Sequence, residues 1–136
     1  GGGVRWYEFR LNRARAPALH QQGTYAPGGG YRWMASPAID KFGNIGMGYN
    51  VTKTTSPTVF ASLRYTGRTA ADPLGVMSLA ETTVAAGAAA ETSGRWGDYY
   101  QMTVDPVDDC TFWFVGMYRP SGGWQTRIQD FKFPGC

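Results

Sequence analysis

The feature that most constrains this chain is a unit that occurs twice. Arg95-Trp96-Gly97-Asp98-Tyr99 leads into Gln101-Met102-Thr103-Val104, turns on Asp105-Pro106, and enters the aromatic run from Cys110 to Tyr118. A looser copy lies upstream: Arg32-Trp33, then Met34 to Asp40, a Lys41-Phe42-Gly43-Asn44 turn, and Ile45 to Tyr49. Trp33 and Trp96 stand 63 positions apart. A supersecondary unit recurring at such a spacing points to a repeat architecture, in which each sheet is covered by its neighbours.

Composition sets the class of that unit. Nineteen glycines and eight prolines, with 15% aromatic residues, favour short strands and turns over helices. A hydrophobic share of 43% supports a packed core. The net charge of +3 comes from scattered rather than blocked arginines, so no nucleic-acid footprint is indicated. No apolar run reaches the roughly 18 residues of a spanning helix. Gly1-Gly2-Gly3 leads straight into a strand and reads as a processed or truncated end.

Read in order, Val4 to Leu11 alternates in part with period two, with Val4, Trp6 or Tyr7, and Phe9 as candidates for its buried face. Leu19 to Tyr25 is a second strand, ended by Pro27-Gly28-Gly29-Gly30. Four strands follow: Met34–Asp40, Ile45–Thr52, Ser62–Arg68 and Val76–Val84. Gly46 and Gly48 alternate with Ile45, Met47 and Tyr49, leaving one face bare for a neighbouring backbone to approach. After a small-residue loop from Ala85 to Gly94 come Tyr99–Asp105, Cys110–Tyr118 and Trp124–Phe133.

The expected fold is all-β: antiparallel four-stranded blades of an incomplete β-propeller, with a small β-sandwich as the alternative. Residues 1–30 form a partial blade of two strands, 31–93 a full blade, and 94–136 a partial blade of three. Propellers use roughly 4–8 blades, so further sequence or partner subunits would have to complete the ring.

Cys110 begins one strand and Cys136 follows the end of the next, neighbouring points in an antiparallel hairpin. A disulfide there implies an oxidising compartment: extracellular, cell-surface or periplasmic. Asp98, Asp105, Asp108 and Asp109 read as turn residues, with calcium binding as the functional alternative. Arg64 and Arg127 fall at comparable places in their strands and could converge on a carboxylate ligand. Trp33 and Trp96 read as inter-sheet packing or, if exposed, as platforms for a sugar face. Asn50-Val51-Thr52 matches the N-glycosylation acceptor pattern. His20 stands without a nucleophile motif. No coherent catalytic set emerges, so a non-catalytic role is expected and enzyme activity is left open.

The final unit, through Arg95-Trp96-Gly97-Asp98-Tyr99, Thr103-Val104-Asp105-Pro106, Asp109-Cys110-Thr111-Phe112-Trp113 and Trp124-Gln125-Thr126-Arg127-Ile128, resembles the sialidase-like β-propeller repeats of large bacterial exported proteins. Gln21-Gln22-Gly23-Thr24-Tyr25 and Ser62 to Arg68 are similar too, so the resemblance covers nearly the whole chain. It implies a propeller, export, and a scaffolding or binding surface. Asp98, Arg64, Arg127, Trp33 and Trp96 are the candidate ligand-binding residues, for a glycan. No Ser-x-Asp-x-Gly-x-Thr-Trp box stands in the sequence, and the resemblance carries no catalytic residues over.

Overall fold

A computed structural model describes all 136 residues. It is all-β apart from one short 3₁₀ turn at Pro27–Gly29. The strands are β1 (Val4–Leu11), β2 (Pro17–Tyr25), β3 (Tyr31–Ile39), β4 (Ile45–Lys53), β5 (Val59–Arg68), β6 (Thr82–Gly87), β7 (Gln101–Val104), β8 (Phe112–Tyr118) and β9 (Gln125–Phe131). They form three antiparallel meanders, β1-β2, β3-β4-β5-β6 and β7-β8-β9.

Strand β4 is the centre of the molecule, and its sequence explains why. Seven of its nine residues are buried, the signature of a strand covered on both faces. Successive side chains point to opposite faces. Ile45, Met47 and Tyr49 join Val4 and Trp6 of β1 and Met77 in one apolar cluster. Gly46 and Gly48 face the other way, toward a second cluster of Met102, Phe112, Phe114 and Phe133, which Leu63 of β5 joins. The first sheet therefore packs on one face of the second, and the third sheet packs on the other.

The glycine face does not receive a neighbouring backbone, as the sequence suggests; it receives aromatic rings. A Cβ on Gly48 would lie 2.4 Å from the Phe114 ring, and one on Gly46 2.8 Å from Phe131. Bare backbone on β4 lets bulky side chains of the third sheet sink to the level of the second. Tyr65 then stacks on Phe131 at 4.1 Å and Phe131 on Phe112 at 5.1 Å, tying β5 to β8 and β9.

Two strand expectations are corrected. Tyr7 and Phe9 are not buried: they are 52% and 61% exposed on the outer face of β1, their rings stacked on each other. A bulge opposite Glu8 and Phe9 leaves His20 unpaired. The strand expected over Val76–Val84 begins only at Thr82. Residues before it wrap the buried guanidinium of Arg68, whose Nε donates to the Val76 carbonyl at 3.2 Å. Thr66 Oγ1 donates to the Leu79 carbonyl at 2.6 Å, and the Leu79 amide donates to Gly67. These bonds spend the backbone groups that a longer strand would need, and they deliver Glu81 to the threshold of β6.

Turn chemistry fixes the remaining joints. Asp40 Oδ1 accepts the amides of Phe42 and Asn44, both at 2.9 Å, while Gly43 adopts a φ of 84°. Cys110 and Cys136 form a disulfide with 5.7 Å between Cα atoms, anchoring the segment after β9 to the start of β8. No helix is long and apolar enough to cross a membrane.

Candidate functional site

The Arg-Trp pair at the start of β3 supplies two separate sites, because adjacent strand residues point to opposite faces. Arg32 turns toward the first sheet. Trp33 turns toward the third.

On the Arg32 side, Glu81 collects four donors. Arg32 Nε lies 2.8 Å from Glu81 Oε1 and Nη2 lies 3.3 Å from Oε2; Arg64 Nη1 donates to Oε2 at 2.6 Å; the Tyr49 hydroxyl donates to Oε1 at 2.7 Å. Strands β3, β4 and β5 and the entry to β6 thus meet on one carboxylate. Burial works against its charge, but the hydrogen bonds from Arg32, Tyr49 and Arg64 outweigh it and hold Glu81 below the usual carboxylate range. Burial, then the bond to Glu81, pushes the Tyr49 hydroxyl far above its ordinary value. Tyr49 is therefore a permanent donor at neutral pH and not a nucleophile. The Arg32 side chain is only 4% exposed, and its guanidinium also lies 5.6 Å over the Tyr25 ring. A cleft of about 420 Å³ opens beside the cluster, bounded by Gly30, Lys53, Pro57 and Val59 with the two arginines.

On the opposite face, Trp33 and Trp96 meet edge to face with centroids 6.3 Å apart. They do not hold equivalent strand positions: Trp33 lies within β3, whereas Trp96 precedes β7. Trp96 Nε1 donates to Asn50 Oδ1 at 2.8 Å and lies 2.9 Å from the Tyr100 hydroxyl. Both rings are half-buried. They line a cleft of about 360 Å³ with Lys53, Phe60, Glu91 and Arg95.

Arg64 and Arg127 do not form one grip. Arg64 is committed to Glu81, while Arg127 is exposed on β9 opposite Gly116, in another sheet and without an ion pair. Asp98 is exposed and pairs with Arg95. Asp105 accepts the Val107 amide at 2.9 Å and Trp113 Nε1 at 3.0 Å. Asp108 accepts the amides of Cys110 and Thr111 and the Thr111 hydroxyl, which hold it down at about 2. These carboxylates organise turns, and no group of three or more His, Cys, Asp or Glu stands together as a metal site. Asn50 is fully buried, its amide donating to the carbonyls of Ser62 at 3.0 Å and Met117 at 2.8 Å, so it offers no acceptor for a glycan in the folded chain.

Three members of the carboxylate cluster escape the sequence reading. Arg32 is hidden behind its Trp neighbour, and Tyr49 reads only as a core aromatic. Glu81 carries the one usable signal: it is the single carboxylate between Asp72 and Glu91. Comparison with protein-family models, curated proteins and solved structures found no match to the chain.

Proposed function

We propose that this chain is a non-catalytic structural and interaction segment of an exported, sialidase-like β-propeller protein, completed by further β-sheets from continuing sequence or from partner chains. One observation carries the reading. Both outermost sheet faces leave large apolar side chains uncovered among polar neighbours, Arg5 and Gln22 on the first sheet and Gln101 and Thr103 on the third. On the first sheet Tyr7, Phe9, Leu11 and Leu19 are exposed; on the third, Trp113, Val115 and Ile128 are 39%, 37% and 65% exposed. Neighbouring exposed apolar side chains on one sheet face mark an interaction site. The occupant is a β-sheet packed face to face, because the second sheet already receives a sheet in this way on each of its faces. The disulfide suits an oxidising, extracytoplasmic setting.

The test is the particle mass of the purified chain by light scattering. The expected result is a particle larger than the 14.9 kDa chain, reduced to monomer by Val115→Asp with Ile128→Asp while the circular dichroism spectrum is retained. A wild-type chain that stays monomeric at every concentration and binds no hydrophobic dye would overturn the proposal.

A second reading is favoured by the Trp33–Trp96 cleft: a carbohydrate site in which the indoles stack on a sugar face and Glu91, Arg95 and Lys53 bond its hydroxyls. Binding on a glycan array that is abolished by Trp33→Ala would support it, and an array without signal would remove it.

A further inference from the structure

The cluster on Glu81 is over-supplied with cations. Two guanidiniums share one carboxylate, and Lys53 stands on the same cleft wall with a single long contact, its Nζ 3.4 Å from the Ser56 carbonyl. The cleft is therefore bordered by three positive groups and one negative group. Nor are the donors used up. Arg32 Nη1 and Arg64 Nε are both buried without a hydrogen-bond partner. A buried charged donor left unpaired costs free energy that an acceptor would recover.

We propose that this cleft is a binding site for a small oxyanion, a carboxylate or a phosphate, separate from the apolar sheet faces and adjoining the Trp33–Trp96 cleft, with which it shares Lys53 and Val59. Arg64, with its side chain 23% exposed, and Lys53 form the accessible rim. Arg32 lies beneath them, and Glu81 holds it in place along its Nε/Nη2 edge, so the planar fork is already ordered before an anion arrives. Gly30 keeps the approach low: a Cβ there would lie 3.7 Å from Arg32 Nη1 and 3.1 Å from the Thr52 carbonyl. Tyr49 takes no part in holding the anion, because its hydroxyl already donates to Glu81. A purely structural ion cluster would explain the bonds to Glu81, but not the surplus of two positive charges facing a cleft of about 420 Å³.

The test uses the whole chain with acetate and, separately, inorganic phosphate as probes, each replacing chloride at constant ionic strength. Two readouts are followed: melting temperature, and the Nε–H resonance of Arg64 by NMR. Expected is a saturable rise in melting temperature with a matching resonance shift, for acetate if the natural ligand bears a carboxylate and for phosphate if it bears a phosphate. Lys53→Ala, which removes no fold-holding bond, should weaken binding about threefold, and Arg64→Gln by about tenfold or more. The proposal is overturned if neither anion gives a saturable response, or if the wild type and Lys53→Ala bind alike. Should Arg64→Gln fail to fold, Lys53→Ala decides.

Discussion

The fit between the second and third sheets rests on the missing side chain of Gly48, so adding one methyl there is the sharpest test of the core. In Gly48→Ala the new Cβ would lie 2.4 Å from two atoms of the Phe114 ring and 2.5 Å from a third. Contacts of this kind do not occur, and the ring cannot swing into solvent because Phe114 is itself only 1% exposed. The sheets must part or the ring must leave its rotamer, which costs about 1–3 kcal/mol for an overpacked core. Backbone preference works the other way, since alanine is better than glycine in a strand by roughly 0.5–1 kcal/mol. The clash outweighs it, leaving a net loss of about 1–2 kcal/mol, or several degrees in melting temperature for a chain of this size. A double-mutant cycle isolates the cause. Phe114→Leu alone leaves a void above Gly48; combined with Gly48→Ala, the methyl fills part of that void. The pair should therefore be more stable than the sum of the single changes by at least about 1 kcal/mol in urea unfolding. Additive losses would refute the packing account, as would a Gly48→Ala chain as stable as wild type.

Reducing the Cys110–Cys136 bond frees a segment spanning 26 positions and should lower stability by about 3.5 kcal/mol in the chain-entropy model, read as a drop in melting temperature with reductant. Glu81 and Asp108 both titrate below their unfolded values. Their contribution is thus fully present above about pH 4.5 and fades as pH falls through the folded values, toward pH 2 for Asp108. Unfolding followed between pH 6 and pH 2 should show this decline, with a shallower slope in Glu81→Gln. Asn50→Ala removes the amide donor to the carbonyls of Ser62 and Met117 and one of the two acceptors of the Trp96 indole N–H, the Tyr100 hydroxyl remaining. It should cost about 2–3 kcal/mol in denaturant melts.

What the sequence disclosed and what it concealed follow from the range of the forces involved. Strands and turns are local: the Asp40–Asn44 turn is legible because its carboxylate caps its own amides. The glycine alternation in β4 was legible as a bare face, but what fills that face is decided by Phe112, Phe114 and Phe131, more than sixty residues away. Periodicity in β1 left Val4, Trp6 or Tyr7, and Phe9 as candidates for burial without separating the two faces. The choice depends on which face meets Ile45 and Met47. The stretch from Val76 to Ala80 reads as the start of a strand, yet Arg68 claims the Val76 carbonyl and Thr66 that of Leu79. The Glu81 cluster joins residues 32, 49, 64 and 81, and only the assembled sheet brings them to one point. The Arg-Trp motif was visible, but its meaning depended on β3 being extended, which sends the two side chains to opposite sheets.

The two apolar ends of the stack differ, and the difference predicts how copies of the chain meet. One end presents the stacked rings of Tyr7 and Phe9 on a two-stranded sheet; the other presents Trp113, Val115 and Ile128 on a three-stranded one. Within the molecule no face packs on a copy of itself: β4 offers apolar side chains to β1 and glycines to β8. Contact between unlike surfaces is heterologous, and it extends into a ring or a filament according to the turn between successive units. If sheets are added to this chain in the proposed way, Phe9→Asp and Trp113→Asp should each abolish association, because each destroys one half of every contact. Mixed together, the two variants should form a heterodimer that grows no further, since the one intact face on each chain is complementary to the other's. Sedimentation velocity separates the cases. Were association isologous instead, one of the two variants alone would still dimerise through its undamaged face, and the end-to-end reading would fall.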